Sequence, residues 1–187
     1  NASLDACGDW IKLPNGHPDP ISTGYPTGRL CQNLIVDFED IRFDICVNDK
    51  TFKIRRKWIV RDGCTGEQRQ EIQTITVMDN EAPEVIAPAD FTVATSDHLC
   101  VGNVNVPVPQ VNDCIQWDYT IAYKPVDDSD DPYTDASTVG VIKIEPRKYV
   151  INGLPEGFTK YWISYYIFDG CGNTTQTYTT AMIMDDK

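Results

Sequence analysis

The sequence predicts an all-β protein made of two tandem antiparallel β-sandwich domains that are stapled by disulfides. Short stretches of alternating polar and apolar residues dominate, and helical periodicity is nearly absent. One segment of the chain occurs twice. Seven cysteines are spread over 187 residues, as expected for domains too small to rely on a large hydrophobic core.

The predicted strands each alternate in hydrophobicity, are rich in Val, Ile, Thr, Tyr and Trp, and end at Gly, Pro, Asn or Asp. Regular short strands with turn residues between them are typical of antiparallel sandwiches. In chain order, the predicted strands cover residues 34–38, 52–60, 71–77, 91–94, 101–108, 117–123, 139–144, 160–168 and 177–184.

The duplicated segment indicates that one supersecondary unit is used twice, as in a modular array. The sequence WIVRDGC at residues 58–64 returns as YYIFDGC at residues 165–171, and an alternating stretch that ends in acid follows each copy. Prolines and acidic residues at 79–88 interrupt the strand pattern between the copies. We therefore predict a first module at residues 1–80 with a Pro/Gly-rich N-terminal loop, and a second at residues 83–187 with an Asp-rich insertion at 126–137.

The cysteines are predicted to form disulfides in an oxidising, extracytoplasmic compartment, because their spacing matches no zinc motif. Aligning the two modules pairs Cys31 with Cys114 and Cys64 with Cys171. A bridge Cys31–Cys64, matched by Cys114–Cys171, would tie the same two places in both modules. In the loop-entropy model, each such bridge contributes about 3–4.5 kcal/mol.

Three cysteines remain after these two bridges are assigned. Cys7 and Cys46 remain as a candidate pair in the first module, and the loop at residues 14–28 is expected to be ordered and held by Cys7 and Cys31. Cys100 is the odd cysteine. A buried free thiol, a bridge to a neighbouring chain and an error in the pairing are the open alternatives.

The net charge of −12 argues against a nucleic-acid surface. The short basic run at residues 53–57 alternates with apolar residues, which fits one solvated face of a strand. The alternative is a docking patch for an acidic glycan or a neighbouring acidic module. The apolar stretches are too short to cross a membrane, and a chain that begins at Asn1 is expected to be a mature product or a piece of a longer polypeptide.

Two acidic groups are candidate calcium sites, since calcium takes six to eight oxygen ligands. The alternative for both is a solvated acidic surface, and no other cofactor is predicted. The first group is the linker set Asp79, Asn80 and Glu81 together with the strand-end residue Asp62. The second is the loop set Asp127, Asp128, Asp130, Asp131 and Asp135, where close carboxylates repel one another unless a cation or solvent screens them.

Catalytic signatures are weak. His17 and His98 are isolated, and neither a GxSxG elbow nor an HExxH motif is present. Because strand positions alternate between inward and outward, about half of the aromatic residues on the long strands are predicted to pack in the core. The alternative to core packing is a sugar-binding platform. These residues are Trp58, Tyr161, Trp162, Tyr165 and Tyr166.

The sequence KIRRKWIVRDGCTGEQRQEIQTITVMDNEAPEV at residues 53–85 resembles hyaline-repeat (HYR-like) modules, which carry an Arg-x-Trp strand, an Asp-x-Cys-Gly-Asn corner and Asp-x-x-Ala-Pro. The second copy has the full corner at residues 169–173, and the first has Thr65-Gly66 in place of Gly-Asn. The cysteine-rich form is most similar to tandem repeats of large Bacteroidota surface proteins, including gliding-motility adhesins exported by the type IX system. The resemblance implies an immunoglobulin-like fold and an adhesive or scaffolding role, with no catalytic residues.

The predicted function is therefore a non-enzymatic repeat segment of a secreted or cell-surface bacterial adhesin or filament. Its predicted partners are neighbouring modules of the same polypeptide, surface glycans and other cell-surface proteins, without nucleic acid and without membrane insertion. One alternative is a carbohydrate-binding accessory module of a secreted polysaccharide-degrading enzyme, which would use exposed aromatic residues. A secreted enzyme with a cryptic site is the other.

Overall fold

The computed structural model describes residues 1–26, 34–47, 50–94, 101–155 and 160–184. The chain divides into two compact units, Asn1–Asn80 and Glu81–Lys187. The division lies within the Pro-containing acidic segment in which the sequence places the module boundary. Almost all regular structure in the described ranges is β, so the predicted all-β, two-module class is confirmed.

The first unit is one four-stranded sheet with a covering loop. The strand order is β1-β4-β3-β2, with β1 parallel to β4 and the other pairs antiparallel. Phe52 and Ile54 on one face join Ile75 and Val77 in the core. The elements are β1 (Ala2–Asp5), α1 (Pro20–Thr23), β2 (Leu34–Asp44), β3 (Phe52–Asp62) and β4 (Gln68–Met78).

The covering loop, residues 10–26, lies over the core face of this sheet and forms its second layer. Trp10 packs edge-on against Phe52 with ring centroids 6.3 Å apart. The one-turn helix α1 begins because the Asp19 carboxylate accepts the Ile21 N–H at 2.8 Å, and it ends at Gly24, whose φ of 89° is in the left-handed region. The described part of the Pro/Gly-rich segment is thus ordered, as the sequence predicts.

The second unit is a sandwich of two larger sheets with a short two-stranded ladder beside them. The sheet orders are β6-β13-β12-β9 and β10-β11-β7, and β5 pairs with β8. One hydrophobic core contains side chains from both larger sheets. The strands are β5 (Glu84–Ile86), β6 (Phe91–Ala94), β7 (Val101–Val106), β8 (Gln110–Asn112), β9 (Trp117–Pro125), β10 (Val141–Glu145), β11 (Lys148–Pro155), β12 (Lys160–Asp169) and β13 (Thr174–Met184).

The sequence repeat corresponds to a repeated sheet. The order β1-β4-β3-β2 of the first unit matches β6-β13-β12-β9 of the second, strand for strand. In each, a short first strand runs parallel to the last strand, through the pairs Ala2–Ile75 and Phe91–Ala181. Each long antiparallel hairpin, β3–β4 and β12–β13, carries one Asp-Gly-Cys motif at its turn.

The aspartate of each Asp-Gly-Cys motif closes the turn by accepting backbone N–H groups. Asp62 Oδ1 accepts the Cys64 N–H at 2.7 Å, and Asp169 Oδ1 accepts the Cys171 N–H at 2.7 Å. In the second copy, Asn173 adds a side-chain hydrogen bond to Asp169 Oδ2 at 2.7 Å. The motif is therefore an Asx-type turn that fixes the hairpin register and places a cysteine at the sheet end.

The aromatic residues of the long strands are mainly core residues, as predicted. Tyr165 is fully buried and its hydroxyl donates to the Pro107 carbonyl at 2.8 Å. Tyr119 is also fully buried, donates to the Arg147 carbonyl at 2.7 Å, and has its pKa raised to about 12 by burial. Trp58, Tyr161 and Trp162 are buried, and Tyr166 is half-buried.

Candidate functional site

The Asp-rich loop, residues 126–137, folds over the outer face of the sheet in the second unit. The buried Ser164 hydroxyl donates to the Pro132 carbonyl at 2.6 Å, and the Tyr133 ring meets the Tyr166 ring at 6.1 Å. Lys124 donates to the Asp131 carbonyl at 3.2 Å. The loop is thus a packed layer, with its apolar side against strand β12 and its acidic side toward solvent.

Its carboxylates serve the loop's own turns. Asp127 accepts the hydroxyl and N–H of Ser129 and pairs with Lys124 at 3.1 Å, and these contacts lower the pKa of Asp127 to about 2. Asp131 accepts the N–H groups of Tyr133 and Thr134. Across residues 126–137, all of which are described, no three acidic groups bring ligand oxygens within 4.8 Å of one another. Calcium binding by Asp127, Asp128, Asp130, Asp131 and Asp135 remains a prediction, which a melting curve with and without chelator tests.

The structure removes Asp62 from the predicted calcium site at the linker. Asp62 is the last residue of β3, whereas Asp79 follows the far end of β4, an 11-residue strand that is antiparallel to β3. At ~3.3 Å per residue, a strand of this length spans about 36 Å, so the two aspartates lie at opposite ends of the sheet. The prediction that Asp62 joins Asp79, Asn80 and Glu81 in one site is therefore wrong. It assumed that residues at the ends of two consecutive strands lie close together, whereas these strand ends are at opposite ends of the sheet. Asp79 is buried, and Asn80 and Glu81 are exposed.

The cysteines of the described residues are oxidised. Cys7, Cys46, Cys64, Cys114 and Cys171 are all disulfide-bonded, whereas the predicted partner Cys31 and the odd Cys100 lie outside the described residues. In the second unit, the Gly170 N–H donates to the Gln116 carbonyl at 2.8 Å, which places the segments around Cys114 and Cys171 side by side. The pairings themselves remain predictions.

A buried ion pair holds the covering loop to the first sheet. Arg56 has no exposed side-chain surface, and it makes a two-bond pair with Asp40, with Nε to Oδ1 and Nη2 to Oδ2 both at 2.8 Å. The same guanidinium donates to the Pro18 carbonyl at 2.6 Å and to the Thr23 hydroxyl at 3.1 Å. His17 Nδ1 lies 3.1 Å from Asp40 Oδ2. All these contacts tie the loop to strands β2 and β3.

Sequence reasoning missed this ion pair, although a signal for it exists. In the basic run, strict alternation with Phe52, Ile54 and Trp58 puts Arg56 on the apolar face, whereas Lys53 and Arg55 face outward. An arginine at an inward position requires a buried acceptor. The sequence does not indicate which of its many carboxylates that acceptor is.

A groove lies beside the ion pair, between the covering loop and the sheet. Its volume is about 360 Å³, and Tyr25, Trp58, Glu71 and Gln73 contribute to its lining. Gln73 holds both walls, because its Oε1 accepts the Trp58 Nε1–H at 2.9 Å and its Nε2 donates to the Thr23 carbonyl at 2.7 Å. An exposed tyrosine ring beside carboxylate and amide groups is a combination that suits a sugar ring.

The opposite face of the same sheet, hereafter the basic face, carries the outward side chains of β2, β3 and β4. Lys53, Arg55 and Arg61 on β3 are exposed, and Lys57 pairs with Glu39 across the strands at 3.7 Å. This confirms that the basic run occupies a solvated strand face, with Arg56 as its buried exception. Exposed apolar side chains flank it: Ile35, Ile41, Phe43 and Ile72.

Comparisons with known proteins identify no family. No family model matches the chain, and no curated protein matches it. Among solved structures, human protocadherin-24 EC1-2 is 16% identical with a TM-score of 0.39, and the match covers 73% of this chain and 67% of that one. Mouse PcdhgC3 EC1-3 is 11% identical (TM-score 0.37; 100% and 65% covered), and the insect immune protein hemolin is 13% identical (TM-score 0.34; 75% and 30% covered).

These scores are too low to transfer a function, so the class rests on the coordinates. The chain is a two-unit, all-β, disulfide-bonded protein in which long loops cover the sheets. Within the described residues, no helix has the length and apolarity needed to cross a membrane.

Proposed function

We propose that this chain is a non-enzymatic pair of modules from a secreted or cell-surface bacterial adhesin or filament, and that each module acts as a mechanically resistant spacer and scaffold. The disulfide-bonded cysteines support an oxidising, extracellular location. The similarity of residues 53–85 to hyaline repeats supports the adhesive context, including a Bacteroidota surface protein exported by the type IX route.

The observation that carries the proposal is the parallel pairing of the first and last strands in each unit. In the first unit, β1 pairs with β4 from Ala2–Ile75 to Asp5–Met78; in the second, β6 pairs with β13 from Phe91–Ala181 to Ala94–Met184. In a parallel pair, the start of one strand and the end of the other lie at opposite ends of the ladder. Tension along the chain therefore shears the hydrogen bonds of the ladder together instead of opening them one by one.

Single-molecule force spectroscopy of the 187-residue chain tests this proposal. The Ala6 N–H donates to the Met78 carbonyl at 3.0 Å just beyond the β1 ladder, and proline at this position removes the donor. Ala6→Pro should lower the unfolding force of the first unit. Ser3→Pro is the matched control, because strand alternation points the Ser3 N–H away from β4. Equal unfolding forces for wild type and Ala6→Pro would refute the proposal that this strand pair resists the applied tension.

Disulfide mapping tests the scaffold part of the proposal. Non-reducing peptide mapping should recover Cys31–Cys64 and Cys114–Cys171, and the remaining bridge should join Cys7 to Cys46. Reduction should then lower the unfolding free energy by about 3–4.5 kcal/mol for each bridge lost. Reduced thiols at Cys31, Cys64, Cys114 and Cys171 in native protein would contradict the pairing.

A second candidate function is carbohydrate binding, which the groove beside Tyr25 favours. The Tyr25 ring is 56% exposed and lies 6.0 Å from the Trp58 ring, next to the Glu71 carboxylate. On a glycan array, Tyr25→Ala should abolish any binding that wild type shows, while Phe43→Ala, an exposed aromatic outside the groove, should retain it. Failure of wild type to bind any glycan, or equal loss in both variants, would remove this candidate.

A further inference from the structure

The basic face of the first unit has an unusual composition for a solvated sheet. Ile35 is 61% exposed, Ile41 and Phe43 are each 53% exposed, and Ile72 is 49% exposed, all on this one face. Clustered exposed apolar side chains on a sheet face mark an interaction surface. The face therefore combines apolar contact area with a row of cations.

The cations of this face exceed its carboxylates. Among the outward residues of β2 and β3, Asp37 and Glu39 are acidic, and Glu39 already pairs with Lys57. In the part of the chain that the structure describes, neither Lys53 nor Arg55 has a carboxylate oxygen within 4 Å of its nitrogen atoms. The positive potential of this face is thus available to an acidic partner.

The second unit shows what covers the equivalent face of the repeated sheet. When the two Asp-Gly-Cys motifs are superposed in sequence, Arg55 corresponds to Trp162 and Lys57 corresponds to Ser164. Trp162 and Ser164 are buried, and the Asp-rich loop contacts this face through the Ser164 hydroxyl, which donates to the Pro132 carbonyl. The same face is thus covered by an acidic loop in the second unit and is exposed and basic in the first.

The charge of the two units is correspondingly uneven. The first unit has 12 acidic and 10 basic residues, a net charge of −2, whereas the second has 16 acidic and 6 basic residues, a net charge of −10. On the solvent side of the Asp-rich loop, Asp127, Asp128 and Asp130 are exposed. The chain itself therefore supplies an acidic surface whose charge is complementary to that of the basic face.

We propose that the basic face of one molecule docks the solvent side of the Asp-rich loop of a second copy. Lys53 and Arg55 would pair with the loop carboxylates, and Ile41 and Phe43 would pack against its backbone and apolar atoms. The apolar rim favours a protein partner over a polyanionic glycan, which offers little apolar surface. Because the two docking surfaces differ, the contact joins unlike patches of two copies, which gives closed rings when the rotation between copies closes and open chains when it does not. This inference is independent of the mechanical role proposed above.

Analytical ultracentrifugation of the 187-residue chain tests the docking. At 0.15 M salt the Debye length is about 8 Å, so local charge pairs act while the repulsion between two negative molecules is screened. We expect concentration-dependent association of wild type at this salt and monomers at 1 M salt. The variant Lys53→Glu/Arg55→Glu should be monomeric. The control is Lys12→Glu/Arg69→Glu, which changes the net charge by the same amount at exposed positions of the covering loop and of the opposite face of the sheet. This control should associate like wild type.

A charge swap identifies the occupant. Asp128→Lys/Asp130→Asn reverses one exposed charge of the loop and removes a second, and asparagine suits the left-handed φ of 51° at position 130. This variant alone and Lys53→Glu/Arg55→Glu alone should each be monomeric, whereas an equimolar mixture should form a complex of the two. Phe43→Ser in the wild-type background should weaken association by at least about tenfold.

Three outcomes would overturn the proposal. One is a wild-type chain that stays monomeric at high protein concentration in 0.15 M salt. Another is association that survives both double variants. The third is a monomeric chain that binds an acidic polysaccharide, such as polygalacturonate, through Lys53 and Arg55, which would assign the basic face to a glycan. Circular dichroism and thermal melting of each variant establish that it is folded.

Discussion

Removal of the Asp40 carboxylate is the sharpest test of how the first unit is built. Asp40→Asn keeps the size of the side chain but leaves the Arg56 guanidinium, which has no exposed surface, without its counter-charge. The second acceptor pair on Arg56, the Pro18 carbonyl and the Thr23 hydroxyl, cannot neutralise it. The covering loop would therefore have to separate from the sheet to let water reach the charge.

The magnitude follows from the burial of the pair. Breaking a buried ion pair by removing one partner costs about 3–5 kcal/mol. An 80-residue unit has a total stability of about 4–12 kcal/mol, so the substitution removes a large share of it. For a unit of this size, the melting temperature should fall by roughly 15–30 °C.

The assay combines thermal melting with hydrogen exchange resolved by mass spectrometry. Exchange should accelerate in residues 10–26 and in strands β2 and β3, and residues 160–169 of the second unit should be unchanged. Glu39→Gln is the matched control, because it breaks an exposed ion pair one residue away on the opposite face of β2. Its cost should be below about 1 kcal/mol.

A double variant separates the charge effect from packing. Arg56→Met with Asp40→Leu removes both charges together, and replacing a buried pair with apolar side chains is often neutral or stabilising. The double variant should therefore be more stable than Asp40→Asn. An Asp40→Asn protein within about 1 kcal/mol of wild type, or indistinguishable from Glu39→Gln, would refute the argument that this pair holds the loop.

Two further predictions concern the second unit. Gly140→Ala should lower the unfolding free energy by more than about 2 kcal/mol in urea denaturation, because φ is +77° and the new Cβ would lie 2.3 Å from the Asn152 carbonyl oxygen. Gly153→Ala is the control: its φ is +80° but a Cβ there meets open space, so it should cost only about 1 kcal/mol. Equal losses in the two variants would contradict the close contact at Gly140. The pKa of Asp127 measured by NMR should be about 2, and Ser129→Ala should raise it toward 3.8. Since the folded-state pKa of Asp127 is lowered, the stabilisation of the loop by this carboxylate is present above pH 3.8 and is lost as the pH falls through about 2. A measured Asp127 pKa of 3.8 in the wild-type protein would count against its hydrogen bonds to Ser129.

Features that depend on local pattern could be predicted from the residues alone. Alternation predicted the long strands, core positions for about half of their aromatic residues and one solvated face for the basic run; Trp58 and Tyr165 are indeed buried, and Lys53 and Arg55 are exposed. The duplicated Asp-Gly-Cys motif predicted a repeated unit, and in both copies the aspartate accepts the N–H of the cysteine two residues later. These features need only the period of a strand and the chemistry of a turn.

Features that depend on which distant segments meet could be read only from the three-dimensional fold. Asp62 precedes strand β4 and Asp79 follows it, yet the extended strand places them at opposite ends of the sheet. Asp40 and Arg56 pair across strands only because the β2–β3 register sets them side by side. Likewise, the register and the loop paths alone determine that an acidic loop covers the outer face of one sheet and leaves the equivalent face of the other exposed. Such contacts join residues far apart in the chain, so no local propensity specifies them.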